Sequence, residues 1–303
     1  MRPVVRPPTE RGSPSLTSPA PVAVRPWRLL VPAHHLTGAA LLGTDDLRDV
    51  AVAVAAAQAA AEVLLDLRGR AAGDADLRDR GDRDAQAVIA AILAQHRPGD
   101  PVLSEEAADN GDRLNADRVW IVDPLDGTRE YGERGREDWA VHVALWESGD
   151  LTAAAVALPA RGLVLSTDAP TGTAIVPAYH GGPPRFAVSR TRATKLVLDV
   201  ADAMSAELVP LGSAGFKTSA VVLGEVDAYI HTGGQYEWDS AAPVAVARAA
   251  GLHTSRVDGS ELVYNQADVK LPDLVVCRHE LAGDILALLT RLQVSAPTEK
   301  HTP

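Results

Sequence analysis

Apolar residues in the first half of the chain recur at helical spacing in two long segments and at strand spacing in several short ones. The pattern predicts helices over residues 45–67, with Thr44 as N-cap, and over 84–96. A buried strand is predicted at 119–122, and a shorter one ends at Leu103. Further β-rich runs, separated by turns at the spacing of an antiparallel meander, cover residues 140–146, 151–158, 163–166 and 173–176. The first half therefore predicts helices packed on a sheet.

Strands and helices alternate after Gly-Gly-Pro-Pro at 181–184, the clearest linker signal in the chain. Strands are predicted over 186–189, 222–230 and 274–276, and helices over 192–204, 240–250 and 280–292. The pair Gly233-Gly234 predicts a turn. The fold class is thus α/β, with an α+β N-terminal half and an α/β C-terminal half. The predicted domains are a disordered extension (1–30), an N-terminal subdomain (31–180), a C-terminal subdomain (185–295) and a tail (296–303).

Composition and charge exclude several classes of function. Hydrophobic residues make up 46% of the chain, so most of it is expected to fold. The net charge of -11 argues against a basic face for nucleic acid or for an anionic membrane, and an anionic substrate would need cations as intermediaries. The apolar run at 50–65 is interrupted by Gln58 and Glu62, and it is interpreted as too short and too polar to span a bilayer. A single cysteine, Cys277, forms no intrachain disulfide, which favours a reducing cytoplasm.

The most informative motif for chemistry is Val-Asp-Pro-Leu-Asp-Gly-Thr at 122–128, directly after the predicted strand at 119–122. Acids at the end of a buried strand, beside a glycine that lets backbone approach a ligand, suit a divalent cation that carries a phosphate. Because Pro124 restricts the turn, both carboxylates and the Leu125 carbonyl are predicted to face one ion pair. The Gly-Thr pair is predicted to open a helix whose free N–H groups receive a phosphate oxygen. We therefore expect adjacent metal and phosphate sites.

Four carboxylates form the candidate ligand set: Glu105, Asp123, Asp126 and Asp239. Their hard oxygen atoms select Mg²⁺ or Mn²⁺ over softer metals. Taken singly, each acid has an alternative interpretation as a cap or turn residue, and Asp239 alone would be the N-cap of a helix beginning at Ser240. The string at 123–128 favours the metal site. The nine histidines lack the spacing of a zinc helix and are expected mostly at surface or packing positions, and no Walker or dinucleotide fingerprint is present.

Four motifs carry a family resemblance: Leu-Ser-Glu-Glu at 103–106, Trp-Ile-Val-Asp-Pro-Leu-Asp-Gly-Thr at 120–128, Gly-Ser-Ala at 212–214 and Trp-Asp-Ser-Ala-Ala at 238–242. Together and in this order they resemble the inositol monophosphatase superfamily of Mg²⁺-dependent, lithium-sensitive phosphatases. The resemblance covers residues 38–293. It implies a layered α-β-α-β-α sandwich.

Within that superfamily, Asp-Gly-Thr-Arg-Glu-Tyr at 126–131 resembles the bacterial branch that removes the 3'-phosphate of 3'-phosphoadenosine 5'-phosphate, a by-product of sulfate assimilation. That branch has a basic residue and Glu after the threonine, where inositol phosphatases tend to have Thr-Asn. The form Ser-Glu-Glu at 104–106 agrees with it. The implied enzyme is a 3'(2'),5'-bisphosphate nucleotidase that yields AMP and phosphate.

The resemblance also implies roles for individual residues. Glu105, Asp123 and the Leu125 carbonyl would hold a first Mg²⁺, and Asp123, Asp126 and Asp239 a second; two or three ions are expected, with Mn²⁺ as the alternative. The catalytic group would be Glu105 together with Asp82 and Thr128, which would orient and deprotonate the attacking water without a covalent phosphoenzyme. Substrate contacts are expected from Gly127, Thr128, Arg129, Ser213 and Lys217.

Two residues depart from the family pattern, although neither removes a ligand. Gly81 stands where Thr or Ala commonly precedes the acid at 82, and Pro243 stands where the last motif commonly ends in glycine. Lys217 has an alternative interpretation as a solvated lysine on a helix face. The same machinery would serve inositol phosphate or fructose 1,6-bisphosphate, and a noncatalytic regulatory protein of this fold is a further alternative. The expected partner is a small phosphorylated substrate, with no nucleic acid and no membrane; a homodimer is left open.

Overall fold

The computed structural model describes residues 28–29, 47–70, 76–168, 179 and 181–295. Six strands form the first sheet, in the order β1-β6-β5-β4-β3-β2. They are β1 (Arg28–Leu29), β2 (Val102–Ser104), β3 (Arg118–Asp126), β4 (Ala140–Glu147), β5 (Asp150–Leu158) and β6 (Leu163–Ser166). The predicted antiparallel meander is confirmed for β4, β5 and β6, and β3 extends it as a further antiparallel strand, whereas β1 runs parallel to β6 and β2 parallel to β3.

Five strands form the second sheet, in the order β10-β11-β9-β7-β8. They are β7 (Arg185–Ser189), β8 (Glu207–Leu211), β9 (Ala228–Tyr236), β10 (His253–Ser255) and β11 (Lys270–Cys277). The central strand β9 runs parallel to β7 and antiparallel to β11.

In the described part of the chain, seven α-helices accompany the two sheets. They are α1 (Asp49–Arg70), α2 (Leu77–His96), α3 (Thr128–Gly132), α4 (Lys195–Ala203), α5 (Ala214–Val222), α6 (Glu237–Ala249) and α7 (His279–Ser295). Helices α1 and α2 pack on the outer face of the first sheet, α5 and α6 lie between the sheets, and α4 and α7 cover the outer face of the second. The predicted α-β-α-β-α order is therefore confirmed.

Strand β3 shows how the sequence builds these layers. Side chains alternate between the faces of a strand, so Trp120 and Val122 pack toward α1 and α2, and Val119 and Ile121 pack toward α5 and α6. Because both faces are covered, the run is apolar at every position. The inner cluster includes residues of both sheets, so one continuous core joins the two halves and holds the end of β3 against α5 and α6.

Several predicted boundaries are wrong. Strand β1 lies within the extension that was expected to be disordered. Other predictions concern residues outside the described part of the chain, namely 1–27, Thr44, 173–176 and the tail. Helix α1 begins at Asp49 rather than at 45, and α2 begins at Leu77 rather than at 84. Within 192–204 the helix is limited to α4. Helix α6 begins before residue 240, at Glu237, and its Asp239 lies in the first turn rather than at the N-cap.

Prediction and structure differ most around the predicted strand 222–230. Val222 ends α5, a helix that the pattern missed, and the strand begins at Ala228. Residues 215–222 are all buried, and a short segment that is apolar on every side has no period to separate helix from strand. The Gly233-Gly234 pair is not a turn but lies inside β9, where the pairing with β11 shifts register between Leu271 and Asp273.

Helix α1 is, among the described residues, long and apolar enough by length and composition to cross a membrane, contrary to the expectation from its polar interruptions. Its alanine-rich face is fully buried against α2 and the first sheet. In this fold the helix therefore serves as a core element.

Candidate active site

A cleft of about 670 Å³ opens between the two sheets, at the end of β3 and the N-termini of α5 and α6. It brings together most of the residues predicted from sequence. Those that line it are Glu105, Asp123, Leu125, Asp126, Gly127, Thr128, Arg129, Ser213, Lys217 and Asp239. Asp82 is the predicted site residue that does not line this cleft.

Asp123 occupies the deepest position. Its side chain is 1% exposed, and its Oδ1 accepts a hydrogen bond from the Leu125 backbone N–H at 3.0 Å. Its Oδ2 is buried and has no hydrogen-bond partner in the described part of the chain. Burial, together with the charges of Asp126, Glu105 and Asp239, raises the pKa of Asp123 well above its usual range. A buried, unpaired carboxylate oxygen of this kind calls for a cation.

Asp126 is held by the N-terminus of α5. Its Oδ2 accepts hydrogen bonds from Ser213 Oγ at 2.5 Å and from the Gly215 N–H at 2.7 Å. Ser213 is the N-cap of α5, has a positive φ of 48°, and also accepts from the Phe216 N–H. This backbone strain fixes the hydroxyl between helix and carboxylate. Ser213 is thus committed to orienting Asp126.

Asp239 reaches the same point from the first turn of α6. Its Oδ2 accepts a hydrogen bond from the Tyr236 N–H at 2.6 Å. One carboxylate oxygen each of Asp123, Asp126 and Asp239 can be chosen so that all lie within 4.8 Å of one another. Burial and the Asp126 charge raise the pKa of Asp239 to about 7. Pro243 lies inside α6 and has no N–H to donate to the Asp239 carbonyl. The Asp239 carboxylate nevertheless lies beside the other two, so this departure from the family motif does not displace it.

Glu105 and Asp82 lie beside this cluster. Glu105 follows β2 at the exposed edge of the cleft, and partial desolvation plus the charges of Asp239, Asp126, Asp82 and Glu106 raise its pKa to about 7. Asp82 is half-buried on α2, and desolvation with the charges of Glu106 and Asp79 raises its pKa to about 7. Gly81 packs tightly, since a Cβ atom there would lie 2.8 Å from Tyr131 Cε1. Glycine at this position, where the family commonly has Thr or Ala, therefore lets α2 pack closely against Tyr131.

The donor set fits a hard divalent cation. Three carboxylates converge, one of them has a free buried oxygen, and burial opposes their joint ionisation unless a positive charge is present. Asp123, Asp126 and Asp239 could hold such an ion directly. Glu105 and the Leu125 carbonyl, which also accepts from Thr128 Oγ1 at 3.1 Å, line the same cleft.

Basic side chains also line the cleft. Lys217 is not solvated on a helix face: it is 5% exposed, donates to the Ser213 carbonyl at 2.7 Å, and lies over the Tyr229 ring. Burial lowers its pKa to about 8. Arg129 is exposed and pairs with Glu133 at 3.0 Å. The cleft is therefore lined by both carboxylates and basic side chains.

Sequence reasoning missed His142, which contacts Asp126 but does not line the cleft, and several residues that do line it. His142 is fully buried in β4, with Nδ1 3.0 Å from the Trp238 carbonyl and Nε2 3.4 Å from Asp126 Oδ2. A polar residue inside the apolar run 140–146 could have marked it. The missed residues that line the cleft include Arg190, Arg192, Tyr229, His231 and Gln235, and no local pattern indicates them.

A cluster of carboxylates suited to divalent cations, set between two sheets in a cleft that basic side chains also line, defines a metal-dependent hydrolase of phosphate esters. The comparison with known families agrees with this class. Residues 45–293 match the inositol monophosphatase family, and the chain belongs to that family. The expected membership and enzyme class, a phosphatase, are therefore confirmed.

The chain is also similar to individual named relatives and to a solved structure. The chain is 49% identical over 259 residues to the 3'-phosphoadenosine 5'-phosphate phosphatase of Mycobacterium leprae, covering 80% of this chain and 94% of that one. It is 31% identical over 193 residues to the 3'(2'),5'-bisphosphate nucleotidase CysQ of Escherichia coli, covering 60% and 77%. The crystal structure of CysQ from Bacteroides thetaiotaomicron superposes with a TM-score of 0.67 at 28% identity, covering 75% of this chain and 96% of that one.

Proposed function

We propose that the protein is a Mg²⁺-dependent phosphomonoesterase that removes the 3'-phosphate of 3'-phosphoadenosine 5'-phosphate, so that water and this substrate give AMP and inorganic phosphate. The observation that carries the proposal is the convergence of carboxylate oxygens of Asp123, Asp126 and Asp239 within 4.8 Å, in a cleft that basic side chains also line. The names of the relatives at about 50% identity support the choice of substrate.

The proposed metal ligands are the side chains of Glu105, Asp123, Asp126 and Asp239, with the Leu125 carbonyl. Two or three Mg²⁺ ions are proposed, with Mn²⁺ as the alternative, because all donors are hard oxygens. When bound, Mg²⁺ supplies the positive charge that lowers the pKa of a water and offsets charge on the phosphoryl oxygens. Lithium is expected to inhibit.

Residues of the chain itself would orient the attacking water, accept its proton and contact the substrate. In the free protein the Thr128 hydroxyl donates to the Leu125 carbonyl, so its oxygen can accept a hydrogen bond from an attacking water. Asp82, with its pKa raised to about 7, is suited to receive the proton at neutral pH and is proposed as the base behind Thr128. Gly127, Arg129 and Lys217 are proposed to contact substrate, whereas Ser213 acts by orienting Asp126.

A cytoplasmic location is part of the proposal. Cys277 is a buried free thiol, and burial, with the Glu280 charge, raises its pKa to about 12. A thiol of this kind has no need of an oxidising compartment.

The test is phosphate release from 3'-phosphoadenosine 5'-phosphate, inositol 1-phosphate and fructose 1,6-bisphosphate, each with Mg²⁺ and with or without lithium. We expect the nucleotide to be preferred and lithium to inhibit its hydrolysis. Asp123→Asn should abolish turnover with the fold intact, because Asn retains the hydrogen bond from the Leu125 N–H but loses the charge. Preference for either other substrate would overturn the substrate assignment. Full Mg²⁺-dependent activity of Asp123→Asn would overturn the metal site.

A further inference from the structure

Four cationic side chains line the cleft, namely Arg129, Arg190, Arg192 and Lys217. A nucleoside bisphosphate carries two phosphate groups, and only the ester that is hydrolysed can lie at the carboxylate cluster. The second phosphate needs a positive partner elsewhere in the cleft. The four cations differ in whether they are free to serve as that partner.

Two of the arginines are already bound to carboxylates. The Arg190 guanidinium contacts Glu130 Oε1 at 2.5 Å and Glu133 Oε2 at 3.2 Å. The Arg129 Nε donates to Glu133 Oε1 at 3.0 Å. A phosphate that approached either guanidinium would meet the negative charge of its partner as well, which weakens the attraction.

Lys217 is also engaged, by backbone carbonyls. Its Nζ donates to the Ser213 carbonyl at 2.7 Å and to the Gly212 carbonyl at 3.3 Å, so two of its three donors are used. The side chain is 5% exposed and lies on the floor of the cleft. Lys217 therefore stabilises the start of α5, and its one remaining donor leaves it less suited than a free guanidinium to bind the second phosphate.

Arg192 differs from all three. Its side chain is exposed at the cleft, and its guanidinium makes no hydrogen bond or ion pair with any residue that the structure describes. Its backbone is nevertheless positioned, because the Arg192 N–H donates to Ser189 Oγ at 3.2 Å, directly after β7. The charge of Arg192 acts on Asp239, but no carboxylate in the described part of the chain is hydrogen-bonded to its guanidinium. A guanidinium of this kind, on an anchored backbone, has its paired N–H donors available for two phosphate oxygens.

We propose that Arg192 binds the phosphate that is not hydrolysed, the 5'-phosphate of the nucleoside bisphosphate, and so determines specificity for substrates with two phosphates. This inference rests on the proposed function and adds to it a residue that distinguishes a bisphosphate from a monophosphate. Binding would replace the water around the exposed guanidinium by charge-assisted hydrogen bonds.

The test compares 3'-phosphoadenosine 5'-phosphate with adenosine 3'-monophosphate, which lacks the second phosphate. Arg192→Gln should lower kcat/KM for the bisphosphate by roughly 10- to 100-fold, the value of a lost charge-assisted hydrogen bond, and lower kcat/KM for the monophosphate far less. The matched control is Lys195→Gln, which removes one positive charge three residues further on. Lys195 pairs with Asp199 and does not line the cleft, so it should change neither value.

An equal fall for both substrates, or no fall for either, would overturn the assignment of Arg192 and leave the proposed function standing. The same loss in Lys195→Gln would also overturn it, because long-range charge would then explain the effect. If the wild-type protein releases no phosphate from the bisphosphate, the proposed function fails first and the role of Arg192 fails with it.

Discussion

Gly215 lies where α5 meets the His142 ring, and no side chain fits between them. A Cβ atom at Gly215 would lie 1.8 Å from His142 Nε2. The same glycine donates its N–H to Asp126 Oδ2 at 2.7 Å. The close approach of helix and ring therefore also brings the helix N-terminus to the carboxylate. Here size alone, rather than an unusual backbone angle, excludes other residues.

Gly215→Ala is expected to displace the start of α5. Because the added methyl group overpacks the site, stability should fall by about 1–3 kcal/mol. Misplacement of Asp126 should lower kcat by about 100-fold. Urea unfolding and phosphate release measure the two effects. Gly283→Ala is the matched control. Gly283 is an exposed position of α7, and a Cβ atom there meets no atom within 4 Å, so the free energy of unfolding should rise by about 0.5–1 kcal/mol. Equal stability of the two variants would contradict the expectation.

At the scale of elements, the start of α6 is anchored by a buried polar network. Glu237 is 1% exposed and accepts hydrogen bonds from the Asn265 N–H at 2.6 Å and the Gln266 N–H at 2.7 Å. Arg113, which is 1% exposed, donates to Asn265 Oδ1 at 2.7 Å. This network joins α6 to the loop around Asn265 and to the turn that carries Arg113. It holds the first turn of α6, and with it Asp239, in place.

Glu237→Ala is expected to lower the free energy of unfolding by about 2–5 kcal/mol, because one buried and one partly buried N–H group lose their acceptor and Arg113 loses a nearby charge. Chemical denaturation measures it. Glu280→Ala is a control of the same residue type in the first turn of a helix, but on the exposed surface of α7, and should cost less than about 1 kcal/mol. Similar losses in the two variants would show that the network contributes nothing beyond a helix-end charge.

At the scale of the whole molecule, the active site opposes folding when no cation is bound. The carboxylates of Asp123, Asp126 and Asp239 crowd one end of the cleft between the sheets. A carboxyl group whose pKa is raised in the fold holds its proton more tightly there than in the unfolded chain. Its contribution to stability is therefore present at low pH and is lost as the pH rises through the raised pKa.

In metal-free protein, Asp239→Asn should remove the loss of stability that ionisation of Asp239 causes. The pKa of Asp239 rises from an ordinary 3.8 to about 7, so the wild type loses stability relative to the variant between these values. We expect the variant's advantage to grow from near zero at about pH 4 to about 2 kcal/mol at about pH 8, half of the full linkage value because the cleft is open to solvent. Thermal unfolding in the presence of a chelator measures it. Mg²⁺ should remove the difference at high pH, and an advantage independent of pH would contradict the argument.

Local patterns were sufficient where one residue's neighbours in sequence are also its neighbours in space. The apolar run before Asp123 and the Gly-Thr pair at 127–128 predicted a buried strand and a helix start, and the structure has both. The turn predicted at Pro124 is wrong: β3 continues through it to Asp126, with a shift of register in its pairing with β4. Helix α5 was missed because its buried residues carry no period, and Gly233 was misread because a bulge and a turn use the same residue. The boundaries of α1 and α2 moved because packing, rather than capping residues, decides where those helices begin.

The sequence by itself determined the chemistry available to the protein: hard carboxylate oxygens at the end of a buried strand, family motifs in order, and a negative net charge that makes a cation necessary for an anionic substrate. Only the tertiary structure decided that Ser213 orients Asp126, that Lys217 is buried, and that the Arg192 guanidinium lies at the cleft with no hydrogen bond to a described residue. The physical reason is that these contacts join residues far apart in the chain. They depend on how α5 and α6 pack between the two sheets, and local periodicity carries no information about that packing.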